Sequence, residues 1–297
     1  MIRIMRESKL KLVTKTSLTI KVKLIFISLS LALGACQHTY PPLTLNTLLT
    51  FSAGLQTTHI ITPTHQHWLA KQSATKSSHQ LHVYIEGDGT PWQTRFQIAE
   101  DPTPRYPMML ELMRRDSHPS WYLGRPCYFN RAEFGLSDTN CSANLWASGR
   151  YSEEVVVSMI AALRIVLADD REHYSGITLI GHSGGGTLAM LIAARMPEVT
   201  QLVTIAANLD TTAWVNSHYF SPLTESLNPA QIIQKSTPTH QLHFGGGHDL
   251  IVPNQPVRDF LAKIGQSLEE FPQQDHNNWG SVWPQILLAI DEQADRH

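Results

Sequence analysis

The stretch "ITLIGHSGGGTLAMLIAARMPEV", residues 177–199, joins an apolar run to a glycine-rich turn and a second apolar segment. The first run is short and rich in β-branched residues, which is typical of a strand buried on both faces of a parallel sheet. The residues after Gly184 have the spacing of a helix. The stretch therefore predicts a strand, a sharp turn and a helix, with Ser183 in the turn. Ser183 is either a nucleophile or a small residue that a tight turn accepts.

The five residues 181–185 match the pattern G-x-S-x-G. Glycine and serine are common in loops, so the pattern gains weight from its place between a strand and a helix, which a nucleophile elbow requires. The flanking glycines permit a strained turn and a close approach of neighbouring backbone. The dipole of the following helix then points at the reacting group, and the Gly184 N–H is the predicted donor to a developing oxyanion.

The chain over residues 80–297 resembles the α/β-hydrolase fold family, whose triad follows the chain order Ser, Asp or Glu, His. The segment "HFGGGHDLIVP" places Asp249 just after a predicted strand, and "FPQQDHNNW" places His276 after the last one. The resemblance implies that Ser183 is the nucleophile, His276 the base and Asp249 the acid that orients it. Asp210 in "IAANLD" also follows a strand and is the alternative acid.

The segment "LHVYIEGDGTPW", residues 81–92, predicts a strand that ends in a glycine-rich loop. In lipases and esterases of this fold, a His-Gly-x-Gly type motif here supplies the second oxyanion donor. Glu86 to Gly89 occupy that place, so the resemblance implies the Asp88 N–H, although a turn that merely ends the strand is the alternative. With "DPTP", "RPC" and "NLD", this segment resembles a group of bacterial hydrolases, many of them lipoproteins, without a defined substrate.

The N-terminus carries a basic leader followed by the apolar run "LIFISLSLALGA". This run has 12 residues, whereas a helix needs about 20 to cross a bilayer. Residues 1–35 therefore predict a secretion signal, with a buried helix as the alternative. The sequence "LGAC" resembles a bacterial lipobox, which implies that Cys36 is lipidated. Gln37 then implies sorting to the outer membrane, facing the periplasm, and residues 36–47 read as a tether.

The two remaining cysteines, Cys127 and Cys141, form an even pair in an exported and oxidising context. We predict a disulfide between them, and two unpaired buried thiols are the alternative. Without residues 1–35 the chain has a formal net charge of −8, which argues against a nucleic-acid partner. The chain has neither the spacing of a structural zinc site nor a phosphate-binding or dinucleotide motif, so we predict no metal and no cofactor.

Predicted strands and helices alternate along the mature chain, which favours a mainly parallel sheet of about eight strands with helices on both faces. We predict one α/β-hydrolase domain over residues 48–297, with a small cap between Asp210 and Pro238. The opening segments "LLTFSA" and "THIIT" are predicted as an antiparallel pair. The later strands are predicted in "LHVYIEG", "SWYLGRP", "GITLIG", "QLVTIAA", "HQLHFGG" and "LEEFP", and the helices in "SEEVVVSMIAALRIVLADD", "GGGTLAMLIAAR", "QPVRDFLAKIG" and "WPQILLAIDEQA".

Three functions fit these motifs. The first is a membrane-anchored serine hydrolase that cleaves an ester or related acyl bond in a small-molecule or lipid substrate. The second is an amidase or peptidase that uses the same triad, which fold and motif alone cannot separate from an esterase. The third is a non-catalytic envelope lipoprotein that retains the fold. The oligomeric state is not predictable from these features.

Overall fold

Strands and helices alternate through residues 41–75, 78–169, 174–234 and 239–294, which the computed structural model describes. The strands are β1 (Gln56–Ile61), β2 (Gln66–Gln72), β3 (Gln80–Ile85), β4 (Trp92–Thr94), β5 (Gln97–Ile98), β6 (Ser120–Leu123), β7 (Gly176–His182), β8 (Val199–Ile205), β9 (His240–Gly246) and β10 (Glu269–Phe271). The α-helices are α1 (Leu45–Phe51), α2 (Met108–Met113), α3 (Glu153–Asp169), α4 (Gly184–Ala193), α5 (Thr211–His218), α6 (Pro229–Ile232), α7 (Asn254–Lys263) and α8 (Trp283–Ala294).

Eight of these strands form one sheet in the order β1-β2-β6-β3-β7-β8-β9-β10, and β4 and β5 form a separate pair. Strand β2 is antiparallel to both of its neighbours, β1 and β6. All other pairs in the large sheet are parallel. The predicted mainly parallel sheet of about eight strands is therefore confirmed. Because parallel strands end at the same edge, the segments after β3, β7, β8 and β9 all emerge there.

The centre of the molecule is built from β7 and α4. Every residue of both elements is buried, because β7 lies between β3 and β8 while α4 packs against these strands. This explains why the opening stretch of sequence is apolar almost throughout. Ser183 lies between the last residue of the strand and the first residue of the helix. Its backbone is therefore fixed by two of the best-packed elements in the protein.

The N-terminal part of the described chain differs from the prediction. The segment "LLTFSA", predicted as a strand, lies largely in helix α1. Thr44 caps this helix by accepting a hydrogen bond from the Thr47 N–H, and Leu48 is buried in the core. The antiparallel pair exists, but β1 pairs with β2 instead. The local cap and the burial of Leu48 favour the helix over the strand that the apolar run suggested.

The predicted tether is also too long. Leu43 is buried, and α1 begins at Leu45, so residues 43–47 belong to the folded part rather than to a linker. The predicted signal segment 1–35, Cys36 and the tether as far as residue 40 lie outside the described residues. No helix within the described ranges has the length and apolar character needed to cross a membrane.

The cap predicted between β8 and β9 is small. It contains the short helices α5 and α6, each near the carboxyl end of the sheet. Trp214 on α5 donates a hydrogen bond from its indole N–H to the Ile251 carbonyl at 2.7 Å, and the His218 Nε2 lies 2.9 Å from the same oxygen. These contacts join the cap to the loop after β9.

Candidate active site

Ser183 occupies a strained turn between β7 and α4. Its φ and ψ are 51° and −123°, a conformation that L residues seldom adopt. The turn needs glycine nearby, because a Cβ at Gly185 would lie 2.3 Å from the Ile85 carbonyl oxygen. The serine N–H is held by the Ile205 carbonyl of β8 at 2.9 Å. The predicted strand–turn–helix arrangement is therefore present, and the serine hydroxyl projects from the edge of the sheet.

Ser183, His276 and Asp249 form one chain of hydrogen bonds. The His276 Nε2 lies 3.1 Å from the Ser183 Oγ, and the His276 Nδ1 lies 2.8 Å from the Asp249 Oδ2. The three residues are far apart in sequence and come together only through the sheet. Asp249 and His276 are both buried. Because imidazole can accept a proton from the serine while the carboxylate stabilises the resulting cation, this arrangement can activate the hydroxyl as a nucleophile.

Asp249 is fixed by the loop that follows β9. Its second oxygen, Oδ1, accepts hydrogen bonds from the backbone N–H groups of Ile251 and Val252, each at 2.8 Å. The Ile251 carbonyl is in turn bound by Trp214 and His218 of α5. One carboxylate oxygen is thus used for orientation and the other faces the imidazole.

The backbone carbonyl of His276 is also fixed by hydrogen bonds. That oxygen accepts hydrogen bonds from the His182 Nε2 at 2.7 Å and from the Trp279 indole N–H at 3.0 Å. Burial lowers the pKa of His182 to about 3, so its imidazole is neutral and carries the proton on the donating nitrogen. His182, which directly precedes the serine, therefore positions the base across the site.

Asp210 and Asp275 have other partners. The Asp210 carboxylate caps α5 by accepting from the Ala213 N–H at 3.0 Å, and it also accepts from the Asn228 side chain at 3.1 Å. Asp275 is bound by the N–H groups of the two residues after His276, both at 2.9 Å. The structure thus gives His276 the partner Asp249, and the alternative acid Asp210 has a capping role.

The loop after β3 lies against Ser183 as predicted. A Cβ at Gly87 would lie 3.3 Å from the Ser183 Cβ, so the loop approaches the serine closely. Across the described chain, neither the Asp88 N–H nor the Gly184 N–H is paired with an acceptor inside the protein. Gly184 is the first residue of α4, where a helix has free N–H groups. Both N–H groups predicted as oxyanion donors are therefore free to bind another acceptor.

The role of the Asp88 side chain was not predicted from the sequence. Its Oδ1 accepts from Arg125 at 2.6 Å, and its Oδ2 accepts from Arg150 at 2.9 Å and from the Tyr151 hydroxyl at 2.7 Å. Burial alone would raise the pKa of Asp88, but attraction to the two guanidinium groups and these hydrogen bonds hold it well below its usual range. The motif "RPC" marks Arg125, but nothing in the sequence pairs it with Asp88.

The predicted disulfide between Cys127 and Cys141 is present. It lies in the segment that carries Arg125 and Tyr128, and the Tyr128 hydroxyl donates to the Asp88 carbonyl at 2.8 Å. The disulfide therefore anchors a segment that contacts the loop after β3.

Among the residues that the structure describes, two groups of side chains have the composition of a metal site. His65 and Asp138 lie near the two disulfide-bonded cysteines, whose sulfurs are occupied in their own bond. In the other group, the buried Asp116 carboxylate already binds the Nδ1 atoms of His82 and His118 and the Tyr84 hydroxyl. Hydrogen bonds account for this cluster, and we assign no metal to either group.

Comparison with known proteins identifies the fold. No family model matches the chain, and no curated protein matches it in sequence. An esterase from Pyrococcus furiosus aligns with a TM-score of 0.58 at 14% identity, over 86% of this chain and 96% of its own. A serine hydrolase without a lid from Xanthomonas campestris aligns with a TM-score of 0.52 at 14% identity, over 86% and 97%. This chain has the α/β-hydrolase fold.

Proposed function

We propose that this protein is a serine hydrolase that cleaves an ester or related acyl bond through an acyl-enzyme on Ser183. The observation that carries the proposal is the hydrogen-bonded chain from Ser183 through His276 to Asp249. A serine used only for turn geometry has no need of an oriented imidazole and a buried carboxylate. The esterase and serine hydrolase among the similar structures have the same fold and are consistent with this chemistry.

The proposed reaction has two halves. In the first, the Ser183 oxygen attacks the acyl carbonyl while the His276 Nε2 takes the hydroxyl proton, and Asp249 stabilises the imidazolium. The oxyanion accepts hydrogen bonds from the N–H groups of Gly184 and Asp88. The bond to the leaving group then breaks as His276 returns the proton to it. In the second half, water attacks the acyl-enzyme by the same route and releases the acid and free Ser183.

The small cap favours a short or exposed acyl group over a long triglyceride chain. The described part of the segment between β8 and β9 contains only α5 and α6, and the similar protein from Xanthomonas campestris is described as lacking a lid. A series of nitrophenyl esters tests this: kcat/KM is expected to be highest for short acyl chains. Efficient turnover of long-chain triglycerides with short esters ignored would contradict it.

We also propose that the protein is a lipoprotein of the bacterial outer membrane, anchored through Cys36. The support is the lipobox-like "LGAC" after a short apolar run, together with a disulfide of the kind that persists in oxidising compartments. Metabolic labelling with a fatty acid, followed by membrane fractionation, is expected to locate the native chain in the outer membrane and Cys36→Ser in the soluble fraction. Equal labelling of both chains would contradict the anchor.

Intact-mass analysis after treatment with a fluorophosphonate tests the nucleophile. The full-length chain is expected to gain one adduct, whereas Ser183→Ala is expected to gain none. Thr187→Ser is a suitable control for unspecific reaction, since its buried hydroxyl donates to the Asn208 carbonyl away from His276. A folded native chain that gains no adduct would favour the non-catalytic lipoprotein instead. Matched ester and amide substrates then separate an esterase from an amidase.

A further inference from the structure

Three buried side chains bind the Asp88 carboxylate close to the proposed nucleophile. Arg125, Arg150 and Tyr151 all donate to its two oxygens, at 2.6 to 2.9 Å. Both arginines are almost completely buried and are themselves fixed: Arg125 donates to the Arg150 carbonyl at 2.8 Å, and Arg150 donates to the Ala147 carbonyl at 2.8 Å. These contacts hold the carboxylate in one orientation without using any group of the triad.

The same carboxylate contacts both sides of the predicted oxyanion hole. Asp88 belongs to the loop that carries one donor, its own N–H. On the other side its Oδ1 packs against Gly184, where a Cβ would lie 2.0 Å from that oxygen. Only glycine fits at residue 184, and the contact fixes the distance between the loop after β3 and the first turn of α4. One side chain therefore sets the spacing of the two N–H groups.

The charge of the cluster also suits an oxyanion. A lone carboxylate beside the hole would repel the negative charge that develops on the substrate oxygen. Here Asp88 is paired with two guanidinium groups, Arg125 and Arg150, so the three side chains together carry one net positive charge. Because the arginines are buried, their field is less screened than it would be in water. Asp88 alone would destabilise the oxyanion, whereas the cluster of Asp88 with the two arginines stabilises it.

We propose that the Asp88 carboxylate is a positioning residue that fixes the geometry of the oxyanion hole, and that Arg125, Arg150 and Tyr151 hold it for this purpose. This inference rests on the proposed function, because an oxyanion forms only if Ser183 attacks an acyl group. Asp88 acts through the backbone N–H groups and does not itself touch the reacting atoms with its side chain. Disturbing the cluster is expected to lower kcat while leaving ground-state binding of substrate unchanged.

Two matched tyrosine variants test the proposal. Tyr151→Phe removes one hydroxyl donor to Asp88 and leaves every charge in place. Tyr84→Phe removes an equivalent buried donor, 2.5 Å from Asp116, whose other side-chain partners are His82 and His118 and not the triad. Each variant deletes one hydroxyl that donates to a buried carboxylate, so similar losses in thermal stability are expected. Only Tyr151→Phe is expected to lower activity.

For a soluble nitrophenyl ester, Tyr151→Phe is expected to lower kcat by about tenfold with KM unchanged, less than the ~10²–10³ lost when a donor itself is removed. A trifluoromethyl ketone forms a tetrahedral oxyanion with the serine, and its inhibition constant is expected to rise by the same factor. Asp88→Asn is expected to show a larger loss, and the tyrosine pair remains decisive if that variant does not fold. In Tyr84→Phe, kcat and the inhibition constant are each expected to stay within about twofold of the native values.

The outcomes separate this inference from the proposed function. Equal kinetics for Tyr151→Phe and Tyr84→Phe, with Ser183 still labelled by fluorophosphonate, would overturn the role of Asp88 and leave the hydrolase proposal intact. A rise in KM with an unchanged kcat would also overturn it, since that pattern reports altered substrate binding. If the native chain is not labelled at all, the proposed function fails and this inference fails with it.

Discussion

Two aspartates at the carboxyl edge of the sheet have similar sequence settings and different partners. Asp210 follows β8 and Asp249 follows β9, each within a few residues of the strand end. The Asp210 Oδ1 accepts hydrogen bonds from the Ala213 N–H, in the first turn of α5, and from the Asn228 side chain. Asp249 divides its two oxygens between the loop N–H groups and His276. The difference lies in which neighbour reaches each carboxylate, and it makes the two residues a natural pair for comparison.

Replacing each aspartate by asparagine distinguishes their roles. Asp249→Asn is expected to lower kcat by about 10³- to 10⁴-fold, because the amide cannot stabilise the imidazolium and favours the wrong tautomer of His276. Asp210→Asn is expected to keep kcat within about threefold, since asparagine caps a helix as well as aspartate does. Steady-state kinetics with a soluble ester, with circular dichroism to verify folding, measures both. Comparable losses in the two variants would contradict the assignment of Asp249.

At the scale of elements, the loop after β6 supports the site from one side. Residues 125–129 carry Arg125 and Tyr128, which bind the side chain and the carbonyl of Asp88. Cys127 and Phe129 both have positive φ, 71° and 57°, a backbone shape that costs energy for residues other than glycine. The Phe129 N–H is held by the Thr103 hydroxyl at 2.8 Å. The disulfide from Cys127 to Cys141 adds a covalent restraint to this segment.

Removing the disulfide is expected to affect both stability and catalysis. The bond joins residues 14 apart, and the chain-entropy model gives a loss of about 3 kcal/mol in the free energy of unfolding when such a loop is opened. In Cys127→Ala/Cys141→Ala, kcat is also expected to fall several-fold, because Arg125 and Tyr128 are held less firmly. Urea unfolding and ester kinetics measure the two effects. A less stable protein with unchanged kcat would show that the loop keeps its shape without the bond.

Most elements downstream of residue 80 were predictable because their sequences carry strong local signals. The long apolar periodicity of α3 and the continuous apolar run of β7 each specify one kind of element. The segment "LLTFSA" was predicted wrongly because a short apolar run fits both a strand and a helix. The Thr44 cap and the burial of Leu48 decide in favour of α1. Strand β2 was missed because its polar residues interrupt the alternation, although four of its residues are buried.

At the scale of the whole molecule, the fold brings together the side chains around Asp88, which the sequence did not predict. The association of Ser183, Asp249 and His276 was predictable because each lies in a local motif, and the fold family that the sequence resembles has such residues in this order. The partners of Asp88 lie 37, 62 and 63 residues away along the chain. No local pattern relates an arginine in "RPC" or the pair Arg150 and Tyr151 to an aspartate so distant. Their association depends on the positions of β3 and β6 in the sheet.

Three buried histidines and one buried carboxyl group make the stability of the whole molecule depend on pH. Burial lowers the pKa of His67 to about 4, and those of His182 and His243 to about 3. Burial also raises the pKa of Glu86 to about 7. In the unfolded chain the histidines bind protons below about pH 6.5, and the glutamate releases its proton above about pH 4.3. Histidine therefore favours proton uptake on unfolding, and Glu86 favours proton release.

Between about pH 5 and 6 the histidines outweigh Glu86, so unfolding is expected to take up about two protons and stability to fall by about 3 kcal/mol for each pH unit of acidification. His243→Gln, which removes one of the lowered groups, is expected to reduce this slope by about half. Glu86→Gln removes the opposing group and is expected to steepen it by about half. Urea midpoints measured across this range test both. A slope that neither variant changes would show that other groups govern the response to acid.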